Sequence, residues 1–183
     1  MGRFTAYLEA IARANGLGQG VEWLFYPGML LDSREKWWDD FGLRHAAHEG
    51  IDICFFRTGH RKISHLKKTA LIPAMDKGVV MNRVDDFLGQ TLVVAHGGIA
   101  GLSQKVIFIY SHLEIEKNLV PGCRVEKGQI IAQVFDTGLK GSKLLPHLHF
   151  SCFELMEMPP WSSLDWHLFS NQEKLIPINP VFI

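Results

Sequence analysis

Charge of one sign is not in excess: 19 Lys and Arg balance 19 Asp and Glu, so the formal net charge is zero. With no basic surplus and no long run of like charge, the chain is not built as a general binder of nucleic acid or other polyanions. Cysteine is scarce. Cys54, Cys123 and Cys152 form an odd set without Cys-x-x-Cys spacing, which argues against a disulfide framework and for small buried thiols; one pair stays open to bridging in an oxidising compartment. No apolar run reaches the ~18 residues of a membrane-spanning helix. Met1 to Gly20 carries Arg3, Glu9 and Arg13 and lacks the uninterrupted apolar core of a signal peptide, as would a chain trimmed of its signal. Helical periodicity is nearly missing too. Only Thr5 to Ala14, with Ala6, Leu8, Ala10, Ile11 and Ala14, approaches it, and Asn15-Gly16 would end that short helix.

What is present is a globular composition, 47% hydrophobic and 21% charged, over 183 residues, which suits one domain with additions. Nine histidines, 17 glycines and 8 prolines point to a turn-rich β protein with a polar or metal site. Val21 to Trp38, broken by Pro27-Gly28, reads as strand or irregular structure leading to a short helix near Ser33 to Asp39. Trp37-Trp38 is a packing anchor or a groove rim, and the area two tryptophans bury favours packing. Ile53 to Phe56 reads as a strand, and Arg57 to Lys68 as a basic loop or hairpin. Short strands then succeed one another between glycine and proline turns: Ala70 to Pro73, Gly78 to Arg83, Gln90 to Ala95, Lys105 to Ser111, Gly128 to Val134 and His147 to Phe153. That spacing predicts a mainly β fold, an antiparallel sheet or open barrel-like sandwich with a short N-terminal helical extension.

The chemistry-bearing stretch is Pro146-His147-Leu148-His149-Phe150. Strand alternation points His147 and His149 one way and Leu148 and Phe150 the other, so one face is available for chemistry while the other packs. Outside partners lie upstream in His48-Glu49-Gly50-Ile51-Asp52 and in Tyr110-Ser111-His112-Leu113. A catalytic zinc site takes about three protein donors and keeps a position open, and His48, Asp52 and His149 would make such a set. Four residues of extended strand span ~13 Å, too far for two donors to one ion, so the backbone must bend between His48 and Asp52, with Gly50 at the midpoint. Alternation places Glu49 away from the ligand face unless that bend re-aims it. His60, His65, His96 and His167 read as solvated, His96 in a turn, while His45 could contact substrate or support a ligand. Tyr110 reads as core or cleft wall.

The order of these elements resembles the lysostaphin and LytM type of zinc metallopeptidase, from Phe41 to the C-terminus. Supporting matches are Phe41-Gly42-Leu43-Arg44, Val93-Val94-Ala95-His96-Gly97-Gly98, Val120-Pro121-Gly122, Thr137-Gly138 and Asn179-Pro180. The resemblance implies a LytM-like fold of the duplicated hybrid type. It implies one Zn2+ held by His48, Asp52 and His149, with His112 and His147 serving catalysis and open to either proton-transfer role. It also implies hydrolysis of peptide bonds in peptidoglycan stem peptides or cross-bridges, in a bacterial cell envelope, periplasm or secreted setting. Residues 1–40 would then be an extension packing on a metallopeptidase domain of residues 41–183. Segments near 54–69 and 156–175 depart from the family pattern as insertions expected to wall the groove. Two other readings stand beside this one. Val120-Pro121-Gly122 to Ala132 also resembles the hairpin of lipoyl- and biotinyl-carrier modules, and a metal-binding but inactive homologue would serve as regulator or scaffold.

Overall fold

The computed structural model describes residues 2–59, 62–97, 105–171 and 173–183. Helix α1 (Arg3–Ala14) buries Phe4, Tyr7, Leu8, Ile11 and Ala12, the three-and-four spacing of a single helical face. Asn15 ends it and also fixes its docking: its side-chain amide donates to the Leu71 carbonyl at 2.8 Å and accepts from the Leu71 N–H at 2.7 Å. Strand β1 (Glu22–Leu24) follows, then a single turn of 3-10 helix at Pro27–Met29. The helix expected near Ser33 to Asp39 does not form. Asp39 and Phe41 take positive φ values of 55° and 51°, and the Lys36 and Arg44 N–H groups donate across a hairpin-like loop to Gly42 and Arg34 at 2.8 and 2.7 Å. Reversal of the chain in this way is incompatible with a helical turn.

The remaining strands are β2 (Ile51–Ile53), β3 (Phe55–Arg57), β4 (Ile63–His65), β5 (Leu71–Pro73), β6 (Gly78–Asp86), β7 (Gly89–His96), β8 (Val106–Ile115), β9 (Arg124–Val125), β10 (Ile130–Val134) and β11 (Leu148–Leu155), followed by helix α2 (Trp166–Phe169) and β12 (Leu175–Pro177). Their pairings are antiparallel, as the turn-rich pattern predicts. The main sheet runs β12-β11-β8-β7-β6-β9, with β2 added to β11 and β10 bridging β8 and β5. A second, three-stranded sheet runs β1-β3-β4. The run expected as one strand at Ile53 to Phe56 is thus split at Cys54, where the chain passes from one sheet to the other. His65 belongs to the β3–β4 hairpin and is exposed; His60 lies outside the described residues.

Strand β8 is buried on both faces, which explains its unbroken apolar run. Phe108 and Tyr110 join α1, Leu148 and Phe150 in one core, while Ile107 and Ile109 meet Phe153, Leu164, Phe169 and Leu175 in another. Leu148 and Phe150 are buried as alternation requires. Cys54 and Cys152 are buried free thiols, and Cys123 is free and part-exposed. The reading of His96 as solvated is corrected. It is buried against the Phe108 ring, with Nε2 2.6 Å from the Tyr110 hydroxyl and Nδ1 3.2 Å from the Lys77 carbonyl. Among the described residues no helix is long and apolar enough to cross a membrane.

Candidate metal centre and active site

Pairing of β2 with β11 sets Asp52 directly opposite His149, and pairing of β11 with β8 sets His149 opposite Ser111. His48 reaches the same point because the chain bends at Gly50 before entering β2. Glycine is required there for a second reason. A Cβ on Gly50 would stand 2.5 Å from the Ser151 hydroxyl and 2.8 Å from the Phe150 carbonyl.

Three donor atoms converge. His48 Nε2 lies 3.1 Å from His149 Nδ1 and 3.2 Å from Asp52 Oδ1, and His149 Nδ1 lies 2.8 Å from Asp52 Oδ1. Donors bound at ~2 Å in a tetrahedral zinc site stand ~3.3 Å apart along each edge, so this triangle is close to one face of such a site. Two imidazoles and a carboxylate are also a donor set that zinc accepts. His48, Asp52, His147, His149 and His112 are all no more than 5% exposed. Asp52, His112, His147 and His149 border a cleft of about 200 Å³ with Trp38, Arg44, Phe87 and Trp166, and His48 lies behind them. A larger groove of about 550 Å³, between α1 and the Gly18 to Phe25 segment, has only Glu9 and Arg13 as charged groups and brings together no comparable chemistry.

The far side of each candidate donor is held by the protein. His48 Nδ1 lies 3.1 Å from the Leu30 carbonyl, and His149 Nε2 lies 2.8 Å from Ser151 Oγ and 3.2 Å from Glu49 Oε1. Asp52 Oδ2 accepts from Trp37 Nε1 at 2.6 Å and from Arg44 at 3.4 Å. Such outer partners set ring tautomer and aim, leaving the inner atoms free for a cation. His147 is anchored likewise, its Nδ1 2.8 Å from the Leu145 carbonyl and its Nε2 3.6 Å from Asp52 Oδ1. His112 sits beside it, ring centroids 4.9 Å apart, with Nδ1 2.8 Å from Asp86 Oδ2.

Electrostatics favour a cation at this point. Burial opposes charge on Asp52, but His48, His147 and His149 outweigh it and hold the carboxyl well below its usual range. Burial likewise opposes charge on Glu49, and its hydrogen bond to His149 still holds it down to about 2. Burial would lower His149, yet Asp52 and Glu49 push it up to about 10. Burial prevails at His147, which falls to about 3 despite Asp52 nearby. Two ionised carboxylates in a buried pocket stabilise positive charge, whether a proton or a metal ion.

The structure therefore brings His48, Asp52, His149, His147 and His112 together. Among the described residues the other histidines do not join them: His45, His65 and His167 are exposed and His96 is in the core. Glu49 differs from the alternation-based expectation, because the bend at Gly50 turns its carboxylate onto His149. Trp37 is both packing anchor and site residue, with its ring 5.3 Å from that of His147, while Trp38 lines the cleft. Trp166 of the 156–175 segment also lines it, whereas none of the described residues of 54–69 does; Phe55 instead backs Trp37 at 5.6 Å. Asp86 carries no sequence signal for a site, and Trp37 carries only that of a packing anchor or groove rim. Ser151 does carry one, being two residues past His149 on the same strand face.

Residues 47–158, more than half of the chain, match Peptidase family M23. The chain belongs to that family, which sets aside the carrier-module reading. Among solved structures, LytM from Ruminococcus gnavus is similar at 15% identity and a TM-score of 0.50, covering 89% of this chain and 52% of that one. LytU is similar at 24% identity and a TM-score of 0.49, covering 74% of each chain. Lysostaphin is similar at 19% identity and a TM-score of 0.47, covering 80% of this chain; the chain spans about half of lysostaphin's length, 47%. No functionally curated protein matches by sequence.

Proposed function

We propose that this chain is a zinc-dependent endopeptidase cleaving peptide bonds in peptidoglycan stem peptides or cross-bridges. The observation that carries the proposal is the triangle of His48 Nε2, Asp52 Oδ1 and His149 Nδ1 at 2.8 to 3.2 Å, with two further anchored histidines on the same cleft. Zinc held by these three atoms would polarise the scissile carbonyl and make a water nucleophilic near neutral pH. With Nδ1 of His147 tied to Leu145 and Nδ1 of His112 to Asp86, each ring offers Nε2 to the cleft. One takes the proton of the attacking water and delivers it to the departing amine nitrogen, while the other hydrogen-bonds the tetrahedral oxyanion when protonated. Trp37 and Arg44 hold Asp52 in its aim, and Ser151 and Glu49 hold His149. Residues 1–40 are read as an extension of a metallopeptidase domain of residues 41–183, supported by the core that α1 shares with β8 and β11.

The test is hydrolysis of purified peptidoglycan by the full chain before and after chelation. Activity should vanish with chelator and return with one equivalent of zinc. Activity that survives complete metal removal overturns the proposal.

A further inference from the structure

His112 has a backbone conformation that strands do not normally contain. Its φ is 63°, and it lies where β8 carries extra length against β7 between the Gln90 and Leu92 pairings, a bulge at which β8 leaves β11 and begins to pair with β10. A non-glycine residue at positive φ costs ~1–3 kcal/mol and persists only where its surroundings impose it. Bulges of this kind re-aim a side chain. The group that imposes this one is Asp86, the last residue of β6.

Asp86 Oδ2 accepts the His112 backbone N–H at 3.3 Å and lies 2.8 Å from its Nδ1. Thr91 donates its hydroxyl to the same oxygen at 3.2 Å, and the Leu88 N–H donates to Oδ1 at 3.4 Å. The Thr91 oxygen in turn accepts from Trp166 Nε1 at 3.0 Å. The Asp86 side chain is fully buried, and burial would raise its pKa, yet the His112 contact holds it down to about 2. The Nδ1 contact is short but bent, and among the described residues Nδ1 has no well-aligned hydrogen-bond partner. Leaving a buried N–H without an acceptor costs ~1–3 kcal/mol, so the adjacent carboxylate selects the tautomer that can use it.

We infer that Asp86 is the positioning residue of His112: its carboxylate fixes the ring's rotation and keeps the proton on Nδ1, so that the Nε2 lone pair faces the cleft. Through Thr91 and Trp166 the same network ties the aim of His112 to the segment around α2. The inference rests on the catalytic role proposed above for His112, but its primary observable does not.

The experiment is nitrogen NMR of the histidine rings in the full, zinc-loaded chain, with His112 assigned by its loss in His112→Gln. Wild type should show His112 protonated at Nδ1 and bare at Nε2. Asp86→Ala removes the acceptor at Nδ1, so the preference for Nδ1–H should be lost and the ring should shift toward the Nε2–H form. Zinc content should be unchanged. On purified peptidoglycan kcat should fall ~10²- to 10⁴-fold with KM within about threefold, by analogy with the wrong-tautomer effect in Asp-His pairs of serine proteases. His112 protonated at Nε2 in wild type overturns the inference without recourse to any variant, as does an unchanged tautomer in a folded Asp86→Ala protein. If the tautomer switches as expected while wild type hydrolyses nothing, the positioning stands and the endopeptidase reading falls.

Discussion

Trp37→Phe separates the aim of a ligand from its presence. Trp37 Nε1 donates to Asp52 Oδ2 at 2.6 Å inside the protein, and the other donor to that oxygen, Arg44, is at 3.4 Å. Phenylalanine keeps an aromatic ring against Phe55 and His147 and removes only the N–H. A hydrogen bond to a buried carboxylate contributes ~1.5–3 kcal/mol, so the metal-free protein should lose stability of about that size in urea unfolding. Metal affinity should fall separately, because Oδ1 is no longer held toward His48 and His149. Loss of an outer partner of this kind costs ~10- to 100-fold in affinity, about 1.4–2.8 kcal/mol. Competition with a chromophoric chelator measures the zinc Kd, and circular dichroism checks the fold. Unchanged stability together with a Kd within about twofold of wild type would refute the argument that Trp37 holds Asp52.

His48→Ala, Asp52→Ala and His149→Ala each remove one of three protein bonds to the ion, so bound zinc should drop well below one per chain by atomic absorption. His147→Ala and His112→Ala should keep zinc and lose ~10²-fold or more in rate, with the double variant costing less than the product of the singles. Zinc loss in His147→Ala with retention in His149→Ala would reverse the roles within the pair. Gly50→Ala should lower both thermal stability and zinc affinity, since its Cβ would collide with Ser151 and Phe150 beside His149; equal melting and affinity would show that the strands relax freely. Burial lowers His96 from its ordinary value to about 4. Its stabilising contribution is therefore complete above pH ~6.5 and is lost as pH falls from there toward 4, by ~3 kcal/mol in all. His96→Leu should flatten the stability profile in that window, and an unaltered slope would assign it to other groups.

Where the sequence was informative, a local rule governed the outcome. Period-two alternation buried Leu148 and Phe150 and placed His149 and Ser151 together on the other face. Glycine at position 50 marked the bend between His48 and Asp52. Where it was not, the determinant was tertiary. Ser33 to Asp39 has an acceptable helical composition, but Asp39 and Phe41 at positive φ turn the chain back. His96 is followed by glycine as a turn residue would be, yet Tyr110 and Lys77, distant in sequence, supply the partners that let it be buried. Glu49 follows the open alternative, since alternation does not hold through the bend at Gly50. Asp86 and Trp37 contact the site only because the β6–β7 turn brings Asp86 against His112 and the loop before Arg44 sets Trp37 on Asp52; no spacing records either event. The 54–69 segment has the position of a groove wall but is drawn by its pairing with β1 into the second sheet.

The proposed activity is peptide-bond hydrolysis at the candidate centre of His48, Asp52 and His149. The most direct measurement is the count of new amino groups released from purified peptidoglycan by the wild-type chain and by His147→Ala, both carrying one zinc per chain. Wild type should release amino groups, and the variant at least ~10²-fold fewer. One zinc bound with no new amino groups from wild type would contradict it and leave a metal-binding scaffold.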